Sequence, residues 1–169
     1  DEDLDSMLVK LVGNFRWELC RTMAGSAWND VSQGSLTADY TDYIQFYRKN
    51  RDLSTEAKER IKSLITKYNN RMRDIFTSEY EVWINNESKG NPRLNKVARG
   101  IFARHCPFGK EIRRQLEKQP LYAELFAALN IQREKQAKNL EQRYSRYRKI
   151  NNGILDPVLE ENLKFYADM

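Results

Sequence analysis

The chain has 169 residues, 29 basic and 24 acidic, for a formal charge of +5, with 40% hydrophobic and 31% charged residues. That balance excludes an intrinsically disordered segment, and the length suffices to bury a core without covalent staples. One histidine and two cysteines fall short of a zinc or iron–sulfur ligand set, and no apolar run is long enough to span a bilayer.

Apolar residues recur at steps of three and four through most of the chain, the period of a helical face. The expected fold class is all-α: a single multi-helix domain, bundle-like, with a long central helix. The first helix is expected from about Asp3 to Val31. Leu4, Leu8, Leu11, Phe15, Leu19, Met23 and Ala27 form one stripe on it, and Trp17, Cys20, Ala24, Trp28 and Val31 form a second. Two stripes make a wide apolar sector, suited to packing on more than one neighbour. Asp1, Glu2, Asp3 and Asp5 favour the positive end of the helix dipole. Gly13 and Gly25 weaken the helix locally and allow close helix approach.

A second helix is expected over Asp39 to Lys49, with Tyr40, Tyr43, Ile44 and Tyr47 as its stripe and Phe46 beside it. The central helix follows from Thr55 to Ile84, uninterrupted by Pro or Gly, with Ser54 or Thr55 as its cap. The polar run from Asn85 to Asn91 ends it, and Asn91-Pro92 reads as a cap with proline at the first helical position. The helix after that ends near His105, and Cys106-Pro107-Phe108-Gly109 forms a turn. A short helix holds Ile112 and Leu116. Pro120 opens a long helix that stops at Asn151-Asn152-Gly153, and Asp156-Pro157 starts a last one carrying Val158, Leu159, Leu163 and Phe165/Tyr166. The stripe of the long helix thins around Arg133 and Gln136, so residues 133–150 are expected to project from the core.

Chemistry is sparse. Cys106 follows His105 directly, a poor arrangement for a nucleophile and its base, so His105 is read as a helix-end histidine facing exposed carbonyls. No phosphate-binding glycine cluster and no calcium loop occur, and neither metal nor cofactor is expected. No residue is assigned a catalytic role, although a carboxylate site assembled from distant positions would leave no motif.

The bases cluster. Residues 89–118 hold nine bases against two acids, residues 48–73 nine against three, and residues 133–149 seven against two. Arg99, Arg104, Lys110, Arg113 and Arg114 flank one turn and form the candidate anion or partner surface. Tyr40, Tyr43, Phe46 and Tyr47 form a candidate aromatic interaction patch, weighed against a place in the core. Arg143, Tyr144, Arg146 and Tyr147 are candidate nucleic-acid contacts.

The expected function is therefore a basic helical interaction or regulatory module that binds an acidic face of another protein. The alternatives are nucleic-acid binding through the Arg/Lys clusters and an enzyme with a carboxylate site. Cysteine usage fits a reduced compartment such as the cytoplasm.

Overall fold

The computed structural model describes residues 3–168, and the described residues contain helices and turns but no strand. The α-helices are α1 (Leu4–Ala24), α2 (Leu36–Gln45), α3 (Thr55–Lys67), α4 (Met72–Asn85), α5 (Lys96–His105), α6 (Lys110–Leu116), α7 (Pro120–Ile150) and α8 (Pro157–Asp168). They form two compact units, divided between Gln119 and Pro120.

The first unit is organised on α4. Phe76 lies at the centre of an aromatic cluster, with ring centroids 5.3 Å from Trp17, 5.2 Å from Tyr40, 5.4 Å from Phe102 and 5.8 Å from Tyr80. Trp83 stacks on Phe108 at 4.1 Å and donates its indole N–H to the Cys106 carbonyl at 2.9 Å. The turn after α5 is thus fixed to the same helix. Stacked and edge-on rings at these distances gain over burial alone.

The long central helix expected over Thr55–Ile84 is two helices. Asn69 and Asn70 both adopt left-handed backbone, with φ of 50° and 58°. Asparagine tolerates that conformation where most residues do not, so the pair turns a corner without glycine. The apolar spacing runs on through the corner because α3 and α4 both face the core. The long helix of the chain is α7 instead, with 31 residues.

Helix ends follow local chemistry. The first helix stops at Ala24 rather than near Val31, because Gly25 takes φ 57° and short 3-10 turns follow. Ser35 caps α2 through Ala38 N at 3.2 Å, so α2 begins and ends earlier than the stripe suggested. Ser54 caps α3 through Ala57 N at 3.1 Å, as one of the two expected caps. Asn95, not Asn91, caps α5 through Ala98 N at 2.9 Å, and Pro92 belongs to the preceding loop.

Helix α1 lies along α4. Gly13 makes the approach possible: a Cβ there would come within 2.9 Å of the Tyr80 ring and 3.3 Å of the Thr77 methyl. Thr77 donates to Asn14 Oδ1 at 2.8 Å, a polar lock beside the glycine.

In the second unit, α8 packs on α7. Asn152 and Gly153 take φ of 55° and 83° at the turn, and Gly153 N returns to the Arg148 carbonyl at 2.7 Å. Tyr122 and Phe126 are buried with ring centroids 6.3 Å apart, and Tyr144 and Leu155 are also buried. Asp156 caps α8 through Val158 N at 2.9 Å. The expectations for the side chains of Phe165 and Tyr166, and for Asp1 and Glu2, lie outside the described residues.

The Gly13 contact yields a direct test. Gly13→Val forces Tyr80 or α1 to shift and should destabilise the protein by roughly 1–3 kcal/mol, read as a lower Tm with helical circular dichroism retained. An unchanged Tm would mean that α1 does not depend on this close approach.

Candidate functional site

Two polar networks lie along α4 and just beyond it, and they hold three of the expected binding residues, Tyr40, Tyr43 and Arg99. Glu87 has no solvent exposure. Its Oε1 accepts from the backbone N–H groups of Arg93 and Leu94, each at 2.8 Å, and from Arg99 Nη2 at 3.2 Å. Its Oε2 accepts from Arg99 Nε at 2.9 Å, and Arg99 Nη2 also donates to the Leu94 carbonyl at 2.6 Å. One carboxylate thereby holds the loop before α5 and neutralises a buried guanidinium. Arg99 is correspondingly removed from the candidate anion surface: its fork is spent inside.

Removing one member of such a pair leaves the other charge buried and unpaired. Glu87→Ala should cost about 3–5 kcal/mol by chemical denaturation, and Arg99→Met in the same chain should recover part of it. A loss under 1 kcal/mol for Glu87→Ala would refute the role assigned to it.

Glu79 is the second buried acid. Its Oε1 accepts from the Tyr40 hydroxyl at 2.6 Å and the Tyr43 hydroxyl at 3.2 Å, and Asn95 Nδ2 donates to the Tyr43 hydroxyl at 2.8 Å. Burial raises the carboxyl pKa above its ordinary value, opposed by the two tyrosine hydrogen bonds and by Arg60. Burial and the same carboxylate push both tyrosines upward. A cleft of about 230 Å³ opens beside Glu79, lined also by Ser54, Glu56, Arg60, Arg93 and Asn95.

The sign of the Glu79 effect follows from linkage. A carboxyl with a raised folded pKa stabilises fully below its unfolded value and loses that contribution as pH rises through the folded value. Glu79→Gln keeps an oxygen acceptor for both hydroxyls and cannot ionise. It should raise Tm relative to the parent at neutral pH, with the gain vanishing near pH 4. A gain that persists in acid would sink this account.

The aromatic patch expected around Tyr40 is mostly core. Tyr40, Tyr43 and Tyr47 are buried, and of the four residues only Phe46 is exposed. The reason is geometric: Tyr40 and Tyr43 reach Glu79 of α4, Tyr40 also packs on Phe102 of α5, and Tyr47 is buried with its hydroxyl accepting from Arg48 Nε. Of the expected basic surface, Arg104 is half-exposed and pairs with Asp39 Oδ2 at 3.4 Å. Lys110 and Arg114 are exposed, and Arg113 is half-buried. Of the expected nucleic-acid contacts, Arg143, Arg146 and Tyr147 are exposed on α7, while Tyr144 is buried and is not open for base stacking.

His105 ends α5 as expected, yet its partner is a carboxylate rather than a row of carbonyls. Its Nε2 lies 2.7 Å from Asp39 Oδ2. Burial lowers the His105 pKa, against the pull of Asp39. Cys20 and Cys106 are unpaired in a disulfide sense, and burial pushes the Cys106 thiol up to about 11, away from nucleophilic use at neutral pH. Among the described residues no group of His, Cys, Asp and Glu is arranged to hold a metal ion, and no helix is long and apolar enough to cross a membrane.

The most prominent exposed surface is on α1. Its second stripe behaves as expected at Trp17, which enters the core. Its first stripe is left largely to solvent. Leu4 is 67% exposed, Leu11 61% and Phe15 64%, and Leu8, Val12 and Leu19 remain about half-exposed. At its C-terminal end this face runs into an open groove of about 550 Å³ lined by Leu19, Met23, Ala27 and Leu36, with Arg16 and His105 at its edge. The stripe was visible in the sequence as an apolar period. What the period lacked was any sign that only one of the two stripes would find a partner.

No curated protein and no solved structure shows significant similarity to the chain. A family model does, over residues 25–166, from the residue that follows α1 into α8, and the chain thereby belongs to the family described as Domain of unknown function (DUF8509).

Proposed function

We propose that this protein is a protein–protein interaction module whose docking surface is the outward face of α1. The observation that supports the reading is the row Leu4, Leu8, Leu11, Phe15 and Leu19, large apolar side chains left to solvent along one side of a well-packed helix. Monomeric proteins rarely expose contiguous apolar patches beyond a few hundred Å², and patches with polar rims mark association sites. The rim here is mixed, with Asp5 and Arg16 on one flank and Glu18 and Arg21 on the other.

The electrostatic part of the expectation moves to a lesser place. With Arg99 in the core and Arg104 beside Asp39, the exposed bases Lys110 and Arg114 contribute steering toward acidic surfaces rather than the bulk of the affinity. The docking energy comes from apolar area, and the module recognises an amphipathic helix.

A photo-crosslinking residue in place of Val12, in the protein as made by its own cells, should capture a partner. Leu11→Glu together with Phe15→Glu should abolish the adduct, whereas Lys110→Ala with Arg114→Ala should lower its yield less than about threefold. The absence of any adduct, or an adduct indifferent to the α1 substitutions, would overturn the reading.

A further inference from the structure

We infer that the occupant of the α1 face is a second copy of the same chain, docked antiparallel so that α1 packs on α1. This inference rests on the interaction-module reading and names its partner. Three observations carry it.

The first is symmetry within the stripe. Leu4, Leu8, Leu11, Val12, Phe15 and Leu19 are spaced evenly about the midpoint between residues 11 and 12. A twofold axis through that midpoint sets Leu4 against Leu19 of the second copy, Leu8 against Phe15, and Leu11 against Val12. Each of these six side chains then meets an apolar one, which is the self-complementarity that an isologous interface requires.

The second is charge. Asp3 and Asp5 lie at one end of α1, and Arg16 and Arg21 lie toward the other. Antiparallel docking opposes the two helix dipoles and brings the Asp3 end of each helix toward the Arg21 end of its mate, while it sets Asp5 opposite Glu18. Parallel docking would set acid beside acid and base beside base. Glu18, the exception at the basic end, is already held by Arg21 at 3.0 Å and Arg73 at 3.3 Å.

The third is area. The exposed parts of Leu4, Leu8, Leu11, Val12, Phe15 and Leu19 together amount to roughly 600 Å², the larger part of the ~800 Å² that each partner contributes to a standard stable interface. The helix is about 30 Å long, long enough for the whole stripe to engage one mate.

Sedimentation equilibrium of the protein from low to several hundred micromolar should show a monomer–dimer equilibrium. Leu11→Glu or Phe15→Glu, at exposed positions that leave the core intact, should weaken the dimer by roughly 100-fold with unchanged circular dichroism. Orientation is read separately. Leu8→Cys mixed with Phe15→Cys, both in a Cys20→Ser background, should form the mixed disulfide in preference to the disulfide between two copies of Leu8→Cys. A monomer throughout the concentration range overturns self-association, as does a dimer indifferent to Leu11→Glu and Phe15→Glu. Preferential pairing of position 8 with itself overturns the antiparallel arrangement. A monomer whose Val12 crosslinker still captures a different protein defeats this inference while leaving the interaction-module reading in place. A monomer with no adduct defeats both.

Discussion

The close approach of α1 to α4 at Gly13 is the constraint from which the rest of the first unit follows. With no side chain at that point, the backbone of α1 can lie against Tyr80 and Thr77. Trp17, one turn further on, then reaches Phe76 and Tyr40 and completes the aromatic cluster. The same contact fixes the rotation of α1 about its own axis. Once Gly13 and Trp17 face inward, Leu4, Leu11 and Phe15 must face outward, because they lie on the opposite side of a 3.6-residue helix. The exposed apolar face is therefore a geometric consequence of the core rather than an independent feature.

Polar groups buried along α4 and just beyond it then determine how the other helices join. Glu79 gathers two tyrosines of α2 and, through one of them, Asn95 at the start of α5. Glu87 gathers Arg99 of α5 and the loop that precedes it. Buried acids are costly unless their lone pairs are filled, and both have several donors. Apolar packing alone tolerates small rotations of α2 and α5 against α4; hydrogen bonds of fixed length do not.

Helix content, the start of α7 at Pro120, the end of α5 at His105 and the glycine stop near Gly153 were all legible from spacing and punctuation. Those signals are local. The corner at Asn69 and Asn70 was not legible, because asparagine is equally at home on a helix surface and the hydrophobic period did not falter there. The destination of Arg99 was also hidden. Its partner Glu87 is 12 residues away across a loop, and a charge run in sequence does not tell which member turns inward. Tyr40 and Tyr43 illustrate the complementary limit: a tyrosine stripe is equally consistent with a core and with a binding surface, and only the position of α4 decides. For α1 both stripes were readable, and what was missing was the number of neighbours available to cover them.

The separation of α1 from α4 along the chain matters during synthesis. About 60 residues intervene between the completion of α1 and that of α4, so at 5–20 residues per second the nascent helix waits roughly 3–12 seconds with both of its greasy sides bare. During that interval its apolar sides are open to any other apolar surface close to the emerging chain. If two neighbouring nascent chains meet first through these segments, assembly between polysome-mates precedes the closure of either fold.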